Sequence, residues 1–208
     1  MPEPHDTVLD RREALGAAAA LGGAMVVTTA GPSTTSADDP PKIEAQEHWV
    51  NKGEVRLFVY RKRLAGAVAS RRPVLFLVHG STFSSRGSYD LSVPGRSGYS
   101  AMDHFAGLGY DVWTMDHEGY GRSSRTGGHC GIEAGVADLA AALPLIEKET
   151  GAPRVMMFGE SSGAIRAGAF ANAEPRRVER LILHAFTYTG ENAPEIERRR
   201  KNADFYRT

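Results

Sequence analysis

The stretch RVMMFGESSGAIRAG, Arg154 to Gly168, decides how the rest of the chain is read. Val155 to Phe158 form a short apolar run of the kind a buried strand needs. Ala164, Ala167, Gly168 and Ala171 then recur at helical spacing, giving small faces that pack closely on a sheet. Between the two segments, Ser161 stands at the apex of Gly159-Glu160-Ser161-Ser162-Gly163. A serine at so sharp a strand-to-helix turn has strained backbone angles, and glycines two residues to either side leave room where side chains would clash. The turn lifts the hydroxyl above the sheet and aims the helix N-terminus at developing negative charge. G-x-S-x-G alone is common in turns; its place directly after a strand and at the opening of a helix gives it weight.

Strands and helices alternate on either side of this turn. VRLFVYRKR (Val55 to Arg63) sets Val55, Leu57 and Val59 on one face of a period-two strand, and PVLFLVHG (Pro73 to Gly80) is a continuous apolar run. GYSAMDHFAGLG (Gly98 to Gly109) reads as a short helix, with Met102, Phe105 and Ala106 on one side. YDVWTMDHEGYG (Tyr110 to Gly121) is a strand running into a glycine-rich loop. In GIEAGVADLAAALPLIEKETG, Ile132, Val136, Leu139, Leu143 and Ile146 form a helical stripe stopped by Gly151, and Pro144 predicts a kink or an early end. VERLILHAF (Val178 to Phe186) is a further buried strand, and NAPEIERRRKNADFY begins a charged helix. The alternation predicts an α/β fold: a mostly parallel sheet with helices on both faces and ligands at the carboxyl ends of the strands.

The 208 residues, 41% of them hydrophobic, suffice for one globular domain with a sizeable core. Lys+Arg and Asp+Glu both number 25, so net charge gives no reason to expect nucleic acid as a partner. Cys130 is the only cysteine, which excludes an internal disulfide, and no zinc-ligand spacing exists. At the N-terminus, Arg11-Arg12 precede an apolar run from Ala14 to Val27 and then a polar, Pro- and Ser-containing stretch. That order describes an export signal over residues 1–37, resembling the twin-arginine type, with the mature domain from Asp38. The run is shorter than the roughly 20 apolar residues a membrane span needs, so no span is expected after signal removal.

Two further segments join Ser161. LFLVHGS (Leu75 to Ser81) ends a buried strand in His-Gly and brings backbone N–H groups to the same sheet edge. Acyl transfer needs two donors for the oxyanion: the amide of Ser162, after the nucleophile, and one from this loop, assigned to Ser81. His79 is read as bracing that loop rather than as a base. MDHEGYGRSS (Met115 to Ser124) lacks the order of a phosphate-binding loop.

Taken together, the chain resembles the α/β-hydrolase superfamily over roughly Glu47 to Phe186. It has His-Gly after strand three, Asp116 to Ser123 as D-x-x-G-x-G-x-S after strand four, and the nucleophile elbow after strand five. The resemblance implies a Ser–His–acid triad, an oxyanion hole, no metal or organic cofactor, and a cap after strand six that residues 190–208 would begin. Serine at the apex favours ester, amide, thioester or lactone hydrolysis over the aspartate-using dehalogenase and epoxide-hydrolase branches. The expected ligand is a small-molecule acyl substrate.

In that family the acid and the histidine follow the nucleophile. Here the only later histidine is His184, at the end of RLILHAF, and the carboxylates beyond it lie in the charged segment. The family's last two strands have no counterpart, so VERLILHAF should present an unpaired edge and one uncovered face. The chain reads as the N-terminal two-thirds of a hydrolase. It is either a fragment, or one piece completed by a second chain, or a short variant in which His184 serves as base in place of merely lining the pocket. Two other readings stay open: a non-catalytic binding module on the same fold, and an acyltransferase using an acceptor other than water.

Overall fold

The computed structural model describes residues 42–66, 72–127, 130–187 and 191–202; the expected export signal lies outside them. The elements are β1 (Ile43–Lys52), β2 (Val55–Leu64), β3 (Val74–Val78), α1 (Ser85–Tyr89), α2 (Ala101–Gly107), β4 (Asp111–Met115), α3 (Ile132–Thr150), β5 (Val155–Glu160), α4 (Ser162–Ala173), β6 (Val178–His184) and α5 (Pro194–Lys201). They build a six-stranded sheet in the order β1-β2-β4-β3-β5-β6. β4, β3, β5 and β6 run parallel, and β1 and β2 add an antiparallel hairpin beside β4. The expected α/β architecture with a mostly parallel sheet is the observed one.

The core lies on both faces of the sheet. On one, Leu57, Val59, Phe76, Trp113 and Met157 meet Leu139, Leu143 and Ile146 of α3 and Ala167 and Phe170 of α4. On the other, Phe58, Tyr60, Leu75, Leu77 and Val112 meet Tyr89 of α1 and Met102 and Ala106 of α2. β2 therefore departs from the sequence reading, which gave it one apolar face. Phe58 and Tyr60 are as buried as Leu57 and Val59, because helices cover both sides of the strand. β1, which has no strong pattern of its own, is recruited by ten-residue pairing with β2.

Pro144 ends nothing: α3 runs through it to Thr150, with Gly151 closing the helix at φ 70°. A proline costs the helix its bond to the carbonyl four residues back. Here both Pro144 and Ala140 face solvent, so water can satisfy that carbonyl, while Leu143 and Ile146 remain in the core.

β6 is the open edge. Among the described residues it pairs with β5 alone, and Ile182 in its middle is 57% exposed. One face of β5 and β6 beside α2 forms a cavity of about 620 Å³, lined by Leu75, Phe105, Met156, Phe158 and Ile182 among others. The charged helix expected after β6 is α5.

An unpaired apolar edge promotes association through strand pairing. Ile182→Lys is expected to reduce concentration-dependent association in sedimentation experiments. Stability should change by no more than about 0.5 kcal/mol, as for an exposed position.

Candidate active site

β5 delivers the chain to Ser161 and α4 carries it away, so Ser161 adopts the angles such a reversal requires, φ 55° and ψ −124°. A side chain in this region of φ is strained. The turn is held by the Ser161 N–H donating to the His184 carbonyl on β6 (2.9 Å) and by Ala164 N–H donating to the Ser161 carbonyl (3.0 Å). Both flanking glycines are obligatory. A Cβ placed on Gly163 would stand 2.3 Å from the Val78 carbonyl oxygen and 2.4 Å from that of His79. One on Gly159 would stand 2.6 Å from Cα of Ala164. The end of β3 thus abuts the start of α4, and Gly80 lies so close that its own Cβ would sit 3.1 Å from Ser161 Cβ.

The structure brings the sequence-predicted residues Ser81, Ser161 and Ser162 to one edge of the sheet. Ser162 opens α4, Ser81 follows Gly80, and Ser161 itself is exposed. No hydrogen bond is made by the Ser81 amide among the described residues. His79 is fully engaged: its Nε2 accepts from the His117 N–H (3.2 Å) and its Nδ1 lies 2.6 Å from the Gly80 carbonyl oxygen. Burial, reinforced by the neighbouring His117, holds its pKa down to about 4, so the ring is neutral. This is the bracing role, and both nitrogens are occupied by it.

His184 is the last residue of β6, and its backbone rather than its ring meets Ser161. The ring stacks on Phe158 (centroids 5.9 Å apart) and lines the cavity beside α2. Among the described residues no hydrogen bond joins that ring to Ser161.

The loop after β4 works as a clasp. Asp116, buried, accepts from the N–H and hydroxyl of Ser85 (2.8 and 2.6 Å) and from the Arg122 N–H (2.9 Å). Gly121, at φ 48°, leaves space that the Asp116 carboxylate fills. Ser123 donates to the Asp116 carbonyl and accepts from the Phe58 N–H. The D-x-x-G-x-G-x-S pattern therefore ties β2, the loop after β4 and the start of α1 together.

Sequence reading missed a buried polar network behind the elbow. Asp138 of α3 is fully buried. One oxygen takes the Lys52 ammonium; the other takes His117 Nδ1 (3.1 Å), the Glu118 N–H (3.0 Å) and the Cys130 thiol (3.5 Å). Burial alone would raise the Asp138 pKa, but bonds from His117 and Lys52 hold it below the ordinary value. A carboxylate flanked by buried Gly135, Leu139 and Ala142 is the signal that could have found it. The donor atoms of His117, Cys130 and Asp138 lie within 4.8 Å of one another, a spacing that could suit a metal ion. Lys52, however, already neutralises the carboxylate, and burial pushes the Cys130 thiol up to about 11, leaving it protonated at neutral pH. The cluster is a hydrogen-bonded network with its own cation.

This sheet, with a strained serine between β5 and α4 beside a His-Gly loop, defines an α/β-hydrolase. Residues 70–200 match the family described as serine aminopeptidase, S33, and the chain belongs to that family. Among solved structures it is similar to an epoxide hydrolase from Vigna radiata (TM-score 0.56, 18% identity, covering 78% of this chain and 47% of that one). A 2-hydroxy-6-oxo-6-phenylhexa-2,4-dienoate hydrolase from Rhodococcus sp. matches with TM-score 0.56 and 17% identity, over 76% of this chain and 52% of that one. A CIB-like hydrolase from Thermoplasma acidophilum matches with TM-score 0.52 and 19% identity, over 72% and 67%. At these identities the likeness shows the fold alone, and the chain spans about half to two thirds of these structures. A comparison with curated protein sequences finds no match.

Two outcomes follow from the geometry. Gly163→Ala should destabilise the protein by several kcal/mol, about the cost of overpacking or more, read from urea unfolding. A histidine held at about 4 in the fold and near 6.5 in the unfolded chain is protonated first when unfolded. Its contribution is complete above pH 6.5 and is lost as pH falls toward 4, a decrease of about 3 kcal/mol. His79→Asn should flatten that part of the stability–pH curve.

Proposed function

We propose that this chain carries the nucleophile of a serine hydrolase that cleaves a carboxylic ester, or a related amide, thioester or lactone, through an acyl-enzyme on Ser161. The observation that carries this reading is the Ser161 backbone, left-handed at φ 55° and pinned between two glycines that no larger residue can replace. Such strain persists only where surrounding structure enforces it, and it clusters at functional sites. In the reaction, Ser161 Oγ adds to the substrate carbonyl while a base takes its proton. The amides of Ser81 and Ser162 hold the resulting oxyanion. Collapse expels the leaving group, which takes up the proton, and water then releases the acyl group.

His79 is engaged and the His184 ring faces the cavity, so the base and its acid come from outside the described residues. The open edge of β6 is where a further segment, in a longer chain or a second one, would dock to supply them. Residues 1–37 are proposed as a twin-arginine export signal acting on the folded domain. That no side-chain base is hydrogen-bonded to Ser161 among the described residues supports the second reading, a binding module that retains the pocket without turnover.

A fluorophosphonate probe tests the first reading. Covalent labelling of the full-length protein is expected, and its loss in Ser161→Ala. No labelling, or labelling undiminished in that variant, overturns it; ligand binding without labelling leaves the binding module. Replacing Arg11 and Arg12 by Lys should abolish export of a fused reporter, and undiminished export would refute the signal assignment.

A further inference from the structure

We infer that Asp138 is a positioning residue for the Ser81 oxyanion donor, acting through His117 and His79; this rests on the hydrolase reading of Ser161. The line of contacts is continuous. Asp138 takes both the His117 ring (3.1 Å) and the Glu118 N–H (3.0 Å), fixing that turn of chain on two sides. The turn directs the His117 backbone N–H at His79 Nε2 (3.2 Å). With Nε2 accepting, a neutral His79 carries its proton on Nδ1, and Nδ1 lies 2.6 Å from the Gly80 carbonyl oxygen. The C=O and N–H of a trans peptide point in opposite directions, and the chain contains no cis bond among its described residues. Anchoring Gly80 oxygen on one side therefore turns the Ser81 N–H to the other. Gly80 itself lies against the nucleophile, a Cβ on it standing 3.7 Å from Ser161 Oγ.

A carboxylate is the terminus this line needs. It only accepts, so it fixes Nδ1 of His117 as a donor. Lys52 completes the charge on its far oxygen. The same helix face serves the second donor. Gly135, three residues before Asp138, leaves the space filled by Arg166, whose Cδ would lie 2.4 Å from a Cβ there. Arg166 donates to the Ser162 hydroxyl (3.3 Å) and to the Cys130 carbonyl (2.7 Å). α3 thus carries Asp138 at the end of the line to Ser81 and, at Gly135, gives room to the Arg166 of α4 that reaches Ser162.

The test combines ester-hydrolysis kinetics with the affinity of a boronic acid, which forms a tetrahedral adduct on serine, in the full-length protein. His79→Ala should lower kcat by on the order of 10- to 100-fold, up to the loss of one oxyanion donor, with KM nearly unchanged. Boronate affinity should fall by the same factor. His79→Asn, which keeps an N–H near the position of Nδ1, should recover most of both. Asp138→Asn should shift kcat and boronate affinity together by about 10-fold; if it does not fold, Lys52→Gln/Asp138→Asn, which strands no ammonium, replaces it. Folded His79→Ala and Asp138 variants with wild-type kcat and boronate affinity overturn the inference, as does a fall in kcat without a parallel loss of boronate binding. A wild-type protein no more active than Ser161→Ala overturns the hydrolase reading itself, and the inference with it.

Discussion

The contact on which the rest of the site depends is the one between Gly163 and the end of β3. No side chain fits between them: a single Cβ would be driven to within 2.4 Å of two backbone oxygens. Because helix and strand touch backbone to backbone, α4 can begin directly above the sheet, and Ser161 has no alternative to a left-handed φ. The same contact sets Gly80 of the His-Gly loop beside Ser161. Strain at one residue is tolerated because the packing on either side of it is rigid.

Around that contact, polar groups are buried only where they are paired. Asp116 gathers three donors from the start of α1 and the loop after β4, and Asp138 gathers its own from β1, the loop after β4 and Cys130. A buried carboxylate left without partners would cost several kcal/mol, so each fixes the segments it binds more firmly than apolar packing would. The consequence is a loop region with low freedom at the carboxyl ends of the strands. Pre-set donors of this kind are what stabilise charge in a transition state, because they need no reorganisation when the charge appears.

Local pattern made the centre of this fold legible, and long-range contact hid the rest. β3 announces itself because a strand covered on both faces must be apolar throughout, and Gly159-x-Ser161-x-Gly163 because its sterics are contained in five residues. Phe58 and Tyr60 alternate with Leu57 and Val59, and only the helices on the far side of the sheet bury them. β1 exists through its partner. Pro144 suggested an interruption that its position on the solvent face removes. Asp138 could not be placed because all of its partners but Cys130 lie 20 to 86 residues away, a separation that helical periodicity does not encode.

Ser161 also leans on the least protected strand of the sheet. Its N–H is held by the carbonyl of His184, the final residue of β6, while Leu181, Ile182 and Leu183 of that strand are each more than a third exposed. Segments with few buried apolar contacts open locally at lower free energy than the core. The hydrogen bond that closes the elbow is therefore only as durable as the pairing of β6 with β5. A segment that added a strand to this edge and filled the cavity beside α2 would bury Ile182 and, through His184, stiffen the turn at Ser161. Completion of the sheet and ordering of the turn at Ser161 are, in energetic terms, coupled through the His184 carbonyl.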